Sequence, residues 1–197
     1  MSSIGPQYEP DYHFKAAARL HQSAYRANVL KVDFDEYGNR LTESAGRALL
    51  NYYDGLGVRE ALRQRYPTYT KSRDADMLRS EHIPFNLFAP LIGRHDLANR
   101  LLYRNLGVEL LPPYQIELEW APKPAEKYLG DRTSFDTYIK GVDDHGRVVG
   151  VGIEVKYTEQ GYRLGPSEAL RVKNPRSTYW TTTRQSGVFT DSECKLL

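Results

Sequence analysis

Two acidic residues and a lysine on either side of a tight turn form the part of this sequence best suited to chemistry. Asp136 lies in one alternating segment, and Glu154-Val155-Lys156 ends the next. Alternate residues of a strand share a face, so Glu154 and Lys156 are expected to project together. Two carboxylates on one face repel each other unless a cation lies between them, and such oxygen ligands suit Mg²⁺. The pattern therefore indicates a metal site that could activate water against a phosphate.

The turn between these segments predicts how they pair. Asp144-His145-Gly146 fits a three-residue hairpin loop with glycine in the left-handed position. Placing Asp143 opposite Arg147 then brings Asp136 opposite Glu154, with Cβ atoms about 4.5–5.5 Å apart. A slip of one residue would put the two carboxylates on opposite faces and destroy the site.

Each member of this group has a predicted role. Asp136 and Glu154 would hold the ion, and the carbonyl of Val155 could be a further ligand. Lys156 is a compact positive charge that could hold the attacking water or the phosphate. The alternative is a solvent-exposed strand face on which Glu154 and Lys156 simply form an ion pair, a common pattern in antiparallel sheets.

The hydrophobic pattern of the elements that must position these residues changes along the chain from a helical period to a strand period. Helical patterns occupy the first half, and alternating patterns follow from Val108. We expect an α/β fold in which a helical N-terminal region, residues 1–107, packs on a mixed central sheet in a β-rich core, residues 108–197, as one integrated domain. The expected helices are 12–30, one capped by Thr42 and running through Tyr53, 58–65, one from Asp74 or Asp76 through Leu78, 94–106, and a short one at Pro166-Ser167. Pro84 predicts a break or a new first turn, and Thr190-Asp191-Ser192-Glu193 predicts a helix N-cap. The expected strands are 108–120, 133–142 and 147–158.

The spacing of Phe135-Asp136 and Ile153-Glu154-Val155-Lys156 resembles the PD-(D/E)XK nuclease superfamily, the restriction-endonuclease-like fold. Phenylalanine stands where the motif's name has proline. The wider text is similar to a bacterial family of restriction-endonuclease-like proteins over about residues 12–197. That likeness lies in Ser80-Glu81, Phe85-Asn86-Leu87-Phe88-Ala89-Pro90-Leu91, Thr133-Ser134-Phe135-Asp136 and the run Ile153 to Glu159.

This resemblance implies an endonuclease that hydrolyses DNA with Mg²⁺ or Mn²⁺, with Asp136, Glu154 and Lys156 as its catalytic residues. It also implies an auxiliary glutamate, for which Glu81 and Glu119 are the candidates, with Glu117 on the same predicted strand as Glu119. The family continues past its third strand into a helix bearing glutamine and arginine and then another strand. This chain is expected to stop where that helix would begin. DNA and a second copy of the chain are the expected partners.

Composition says more about the cellular location of the protein than about its activity. The 197 residues carry a formal net charge of +2, which selects no partner by itself. One cysteine, Cys194, allows no intrachain disulfide, and no apolar run approaches the roughly 20 residues of a membrane helix, so a cytoplasmic protein is expected. The five histidines show no metal-ligand spacing.

Three further patterns leave alternatives open. Two basic stretches, 59–73 and 163–176, fit either phosphate contacts or solvated faces. Asn86, within Phe85-Asn86-Leu87-Phe88, fits a buried hydrogen-bonding residue better than a catalytic one. For the whole chain, the alternative to a nuclease is a non-catalytic module that keeps the fold and binds DNA or a protein.

Overall fold

A computed structural model describes residues 3–130, 133–161 and 163–187 of the chain. It divides the chain into two compact units. The first unit comprises Met1–Trp120 and Phe135–Thr158, and the second comprises Ala121–Ser134 and Glu159–Leu197. The expected α/β class is confirmed, since the first unit combines a helical N-terminal region with a β-sheet.

The first unit begins with helices arranged around a short hairpin. Helix α1 continues into one π-helical turn, Arg26–Leu30, and the strands β1 and β2 pair antiparallel. The bounds are α1 His13–Tyr25, β1 Phe34–Asp35, β2 Tyr37–Leu41, α2 Glu43–Arg47, α3 Val58–Arg65, α4 Lys71–Ala75, α5 His82–Phe88, a 3₁₀ turn Ala89–Leu91, and α6 His95–Leu106.

Several of these helices follow the local signals of the sequence. The expected helices at 58–65 and 94–106 are confirmed, and Gly107 ends α6 with φ of 65°. Pro84 lies in the first turn of α5, as expected. Thr42 caps α2 by accepting the Ala45 N–H at 3.3 Å.

Other boundaries differ from the expectation. Helix α2 ends at Arg47 rather than near Tyr53, because Leu49 takes a left-handed φ of 58°. The expected start of a helix at Asp74 or Asp76 is wrong: α4 begins at Lys71 and includes Asp74. The sequence analysis also did not predict the β1–β2 hairpin.

The sheet that carries the candidate residues has three antiparallel strands. They are β3 Leu111–Trp120, β4 Phe135–Val142 and β5 Val148–Ile153, in the order β3-β4-β5. The predicted register is confirmed where β4 and β5 pair, because Tyr138 lies opposite Gly152 and Lys140 opposite Gly150. All strand pairs among the described residues are antiparallel, so these residues contain no parallel pair of the kind that a mixed sheet would include.

The hairpin loop explains why this register holds. Gly146 has φ of 75°, and its N–H donates to the Asp143 carbonyl. The buried Asp143 carboxylate accepts the N–H groups of His145 and Arg147 at 2.9 and 2.8 Å, and the Arg147 Nε–H at 2.7 Å. These bonds hold the pKa of Asp143 below its usual range, the Arg147 backbone bond being the largest cause.

One face of the sheet packs on the helices. Ile139 and Leu110 are fully buried with Leu102 of α6, and Val149, Val151 and Ile153 of β5 pack against this cluster. A neighbouring cluster joins Tyr52, Val58, Leu62 and Phe85 from the N-terminal helices. Burial of this face places Tyr138 and Lys140 on the other one, because a strand alternates sides.

The second unit is described by itself. It holds a 3₁₀ turn Ala125–Lys127 and two helices, α7 Pro166–Lys173 and α8 Thr178–Ser186. The helix expected at Pro166-Ser167 is confirmed. Two helices follow β5, and α8 carries Arg184 and Gln185, so the expectation that the chain stops where a helix should begin is wrong.

Two further features complete the description. The cap expected at Thr190-Asp191-Ser192-Glu193 and the single Cys194 lie outside the described residues. Within the described ranges, none of the helices combines the length and apolar character needed to cross a bilayer.

Candidate active site

Asp136 is the anchor of the candidate site. It lies near the start of β4, is half-buried, and its Oδ2 accepts the backbone N–H of Val155 at 2.5 Å. Among the described residues this is the only hydrogen bond to the carboxylate. The bond explains why β5 ends at Ile153 rather than at the expected residue 158, since the chain turns to the Asp136 side chain instead of continuing the ladder.

Glu154 and Lys156 follow directly after β5 and flank Val155. Both are exposed, and the Lys156 ammonium is paired with Glu154 Oε1. Glu154 is therefore not a paired strand residue opposite Asp136, although the hairpin brings it to the same end of the sheet. Opposite charges at this spacing on an exposed surface contribute little to stability.

A third carboxylate, Glu81, reaches the site from the N-terminal half of the chain. It immediately precedes α5, and its side chain is paired with Arg79, whose Nε donates to Oε2 at 2.9 Å. The buried Thr158 holds this segment beside β5, because its hydroxyl donates to the Leu78 carbonyl at 3.3 Å. The Tyr12 hydroxyl donates to the Thr158 carbonyl at 2.9 Å, which adds α1 to the same junction.

The pKa of Asp136 reflects the charged side chains around it. Burial raises the pKa of the Asp136 carboxyl, and the charges of Glu154 and Glu81 raise it further. The Val155 N–H and the Lys156 ammonium act in the opposite direction and leave the net shift upward. The charges of Glu154, Lys156 and Glu81 therefore all act on the Asp136 carboxyl.

Glu119, the other auxiliary candidate, lies against a different partner. Its backbone takes a left-handed φ of 53°, and its charge acts on the Tyr66 hydroxyl. Burial first, and the Glu119 charge second, raise the pKa of Tyr66 to about 12. Glu117 lies opposite Tyr138, on the outer face of the sheet. Of the candidate glutamates, Glu81 is the one whose charge acts on Asp136.

The donor set fits a hard divalent cation. Among the described residues none donates a hydrogen bond to Asp136 Oδ1, and a cation there would offset the burial and repulsion that raise the Asp136 pKa. The Glu154 carboxylate and the Val155 carbonyl are oxygen donors on the same short segment. Within the described ranges no cluster of three His, Cys, Asp or Glu is arranged to hold a metal, so an ion here would keep water or phosphate ligands.

Sequence reasoning did not single out Arg79. Its guanidinium holds Glu81 through two nitrogens, so it helps to set the position of this auxiliary candidate. The only signal was its place just before Ser80-Glu81, within the stretch that resembles the restriction-endonuclease-like family.

Sequence reasoning also did not anticipate aromatic residues on the site's face of the sheet. The Trp120 ring stacks on Tyr138 with centroids 4.1 Å apart, and Phe135 lies 6.0 Å from Tyr138. Tyr138 covers Gly150 and Phe135 covers Gly152, where an added Cβ would lie 2.3 and 2.7 Å from the rings' atoms. Glycine at these two positions therefore makes room for the aromatic layer beside Asp136.

The first basic stretch is largely neutralised within the protein. Arg59 pairs with Asp54 at 3.1 Å, Lys71 with Asp35 at 2.5 Å, and Arg73 with the buried Asp74 at 2.7 Å. These pairs favour a structural role for residues 59–73 over a run of free phosphate contacts.

Comparison with known proteins identifies the family of the chain. A family model described as the PD-(D/E)XK nuclease superfamily matches residues 9–197. The chain therefore belongs to the PD-(D/E)XK nuclease superfamily. No curated protein matches the chain, and no solved structure does.

Proposed function

We propose that this protein is an endonuclease that hydrolyses phosphodiester bonds in DNA with Mg²⁺ or Mn²⁺. The observation that carries the proposal is the position of Asp136, whose carboxylate is tied to Val155 between Glu154 and Lys156. Because the chain belongs to a nuclease superfamily, we interpret this arrangement as a site for phosphodiester hydrolysis.

In the proposed site, Asp136, Glu154 and the Val155 carbonyl hold the ion. A divalent cation there would lower the pKa of a water ligand and offset the charge that builds on phosphate. The Val155 N–H fixes one oxygen of Asp136, so the other keeps a constant direction toward the ligand. Lys156 leaves Glu154 for the substrate, where its ammonium positions the attacking water or a phosphate oxygen.

Glu81 is the auxiliary carboxylate in this proposal. Arg79 neutralises it until an ion or substrate draws it toward Asp136. Glu119 retains its place at Tyr66 and supports β3 rather than the reaction.

The proposed DNA partner is supported by the second unit. Its described residues carry more lysines and arginines than carboxylates, and none of the described ion pairs involves Arg171, Lys173 or Arg176. This contrasts with the paired residues of the first basic stretch.

We place the reaction in the cytoplasm, with a dimer making the two nicks of a duplex break. Within the first unit, residues 1–107 and the sheet would act as one integrated domain, because Thr158 bonds to Leu78.

The test compares cleavage of plasmid DNA by matched variants. Asp136→Ala and Lys156→Ala should each lower the Mg²⁺-dependent rate by at least a hundredfold while the far-UV circular dichroism stays unchanged. Asp144→Ala and Lys140→Ala are the controls, since these exposed residues lie on the same hairpin. Full activity in Asp136→Ala or Lys156→Ala would remove the catalytic proposal.

A second candidate function rests on the Glu154–Lys156 ion pair. A module that binds DNA or protein without cutting would keep this pair as a surface contact and would need no cation at Asp136. It would bind with equal affinity in EDTA and in Mn²⁺, and Lys156→Ala would weaken binding only through lost charge.

A further inference from the structure

A cleft of about 470 Å³ lies in the first unit, formed by residues of α1, the segment after α2, α3 and α5. Its volume is in the range of sites that hold small organic groups. Neither the proposed metal ligands nor the proposed catalytic residues line it. Its lining joins tyrosine rings to side-chain amides and histidines.

The rings of the cleft are available for stacking. Tyr53 is 60% exposed and Tyr25 is 43% exposed, while Tyr52 is buried and forms part of the wall. Large exposed aromatic side chains in a cleft offer flat apolar surface, which suits a planar ligand.

The polar lining offers hydrogen bonds rather than charge. The Asn86 amide is fixed, since it accepts the Tyr53 N–H at 2.8 Å and donates to the Asn51 carbonyl at 3.2 Å. Within the part of the chain that the structure describes, the Asn51 Nδ2 and the Nδ1 of His82, a side chain that is only 7% exposed, have no hydrogen-bond partner. Burial lowers the pKa of His82 to about 4, so the imidazole is neutral at physiological pH.

The charges at the cleft cancel. Arg59 lines it but is paired with Asp54 at 3.1 Å and donates to the Tyr52 carbonyl at 3.1 Å. With His82 neutral, the wall has no surplus cation to hold an isolated phosphate group. A flat, uncharged group with donors and acceptors on its edge fits this lining better, and a nucleobase is such a group.

The cleft adjoins the proposed active site at two points. His82 lines it and follows Glu81 directly. Gln22 also lines it, and its amide donates to the hydroxyl of Tyr157, the residue after Lys156, at 3.2 Å. A base entering the cleft would therefore belong to a nucleotide close to the bond that is cut.

We propose that this cleft binds a single unstacked nucleobase of the DNA held at Asp136, Glu154 and Lys156. This inference rests on the proposed nuclease function and names the part of the substrate that is recognised. Removing a base from a stack costs least where the strand is unpaired, so single-stranded or locally melted DNA is the favoured substrate.

The test measures binding in EDTA, where no cleavage occurs, by fluorescence anisotropy. Two single-stranded oligonucleotides of one length are compared, one with bases and one made of abasic sites. The native protein should bind the strand with bases more tightly, and Tyr53→Ala should lower this preference about tenfold, the loss expected from one stacked base. Tyr53→Phe should keep the preference because it retains the ring. The control Tyr103→Ala removes another exposed tyrosine, 65% exposed on α6, and should change nothing.

The outcomes separate this inference from the proposed function. Equal affinity of the native protein for the two strands, no binding of either, or a Tyr53→Ala loss no larger than that of Tyr103→Ala would overturn the inference, whether or not the protein cuts DNA. A preference that Tyr53→Ala removes, in a protein that cuts no DNA, would support the inference and refute the nuclease proposal. Asp136→Ala should keep the preference, since it leaves the cleft intact.

Discussion

Replacing Asp136 by asparagine should make the protein more stable in the absence of metal while abolishing its response to metal. The half-buried carboxylate is destabilised by burial and by the charges of Glu154 and Glu81. Asparagine keeps an oxygen that can accept the Val155 N–H and removes the charge. Because the carboxylate is only half-buried, solvent screens part of this cost, so a gain on the order of 1 kcal/mol is expected.

A gain of that size corresponds to a rise in Tm of about 2–4 °C for a chain of this length. Differential scanning fluorimetry in EDTA at pH 7 measures it, with Asp144→Asn as control. Asp144 is a carboxylate in the hairpin loop whose side chain is 69% exposed. Mn²⁺ at a hundred times its dissociation constant should stabilise the native protein by about 2.7 kcal/mol and leave Asp136→Asn unchanged.

The pH dependence follows from the raised pKa of Asp136. A carboxyl whose pKa is higher in the folded state binds more protons there, so its contribution to stability falls as pH rises from the ordinary value of 3.8 through the raised one. The advantage of Asp136→Asn should therefore be small at pH 4 and complete at pH 7. A lower Tm for Asp136→Asn in EDTA at pH 7, or an equal Mn²⁺ response in both proteins, would refute this reasoning.

Two further perturbations test the placement of the site and its partner. Thr158→Val removes the hydroxyl that donates to Leu78, so it should lower the free energy of unfolding by about 1 kcal/mol and reduce DNA cleavage, as measured by urea unfolding and plasmid nicking. An active and equally stable Thr158→Val protein would show that this contact does not hold Glu81 in place. Arg171→Ala and Lys173→Ala should each reduce the slope of the logarithm of DNA affinity against the logarithm of salt concentration by about one. The control Arg63→Ala, a residue paired with Glu60 at 3.6 Å, should leave the slope unchanged, and an equal effect in all three variants would contradict the contrast between the two basic stretches.

The part of the site that the sequence predicts is the part set by local chemistry. The register of β4 and β5 follows from one loop, because Gly146 takes the left-handed conformation and Asp143 bonds the turn. Tyr138 consequently lies opposite Gly152, as expected. The predicted pair Asp136–Glu154 is the one that does not form. The Asp136 carboxylate accepts the Val155 N–H instead, and the strand ladder ends there.

The parts that were not predicted depend on contacts between distant residues. The position of Glu81 is fixed by the hydrogen bond from the Thr158 hydroxyl to the Leu78 carbonyl, and no local sequence pattern predicts that bond. The aromatic layer on the site's face follows a left-handed residue, Glu119, in β3, a conformation that side-chain alternation does not reveal. The early end of α2 likewise depends on the left-handed Leu49.

The most direct test is the position of Mn²⁺ in crystals of the protein soaked with that ion. Anomalous scattering should place one ion in contact with a carboxylate oxygen of Asp136 and one of Glu154, with Lys156 turned away from its present partner. Soaked crystals of good quality with no anomalous peak at Asp136, or with the ion bound elsewhere and Lys156 still paired with Glu154, would contradict the account.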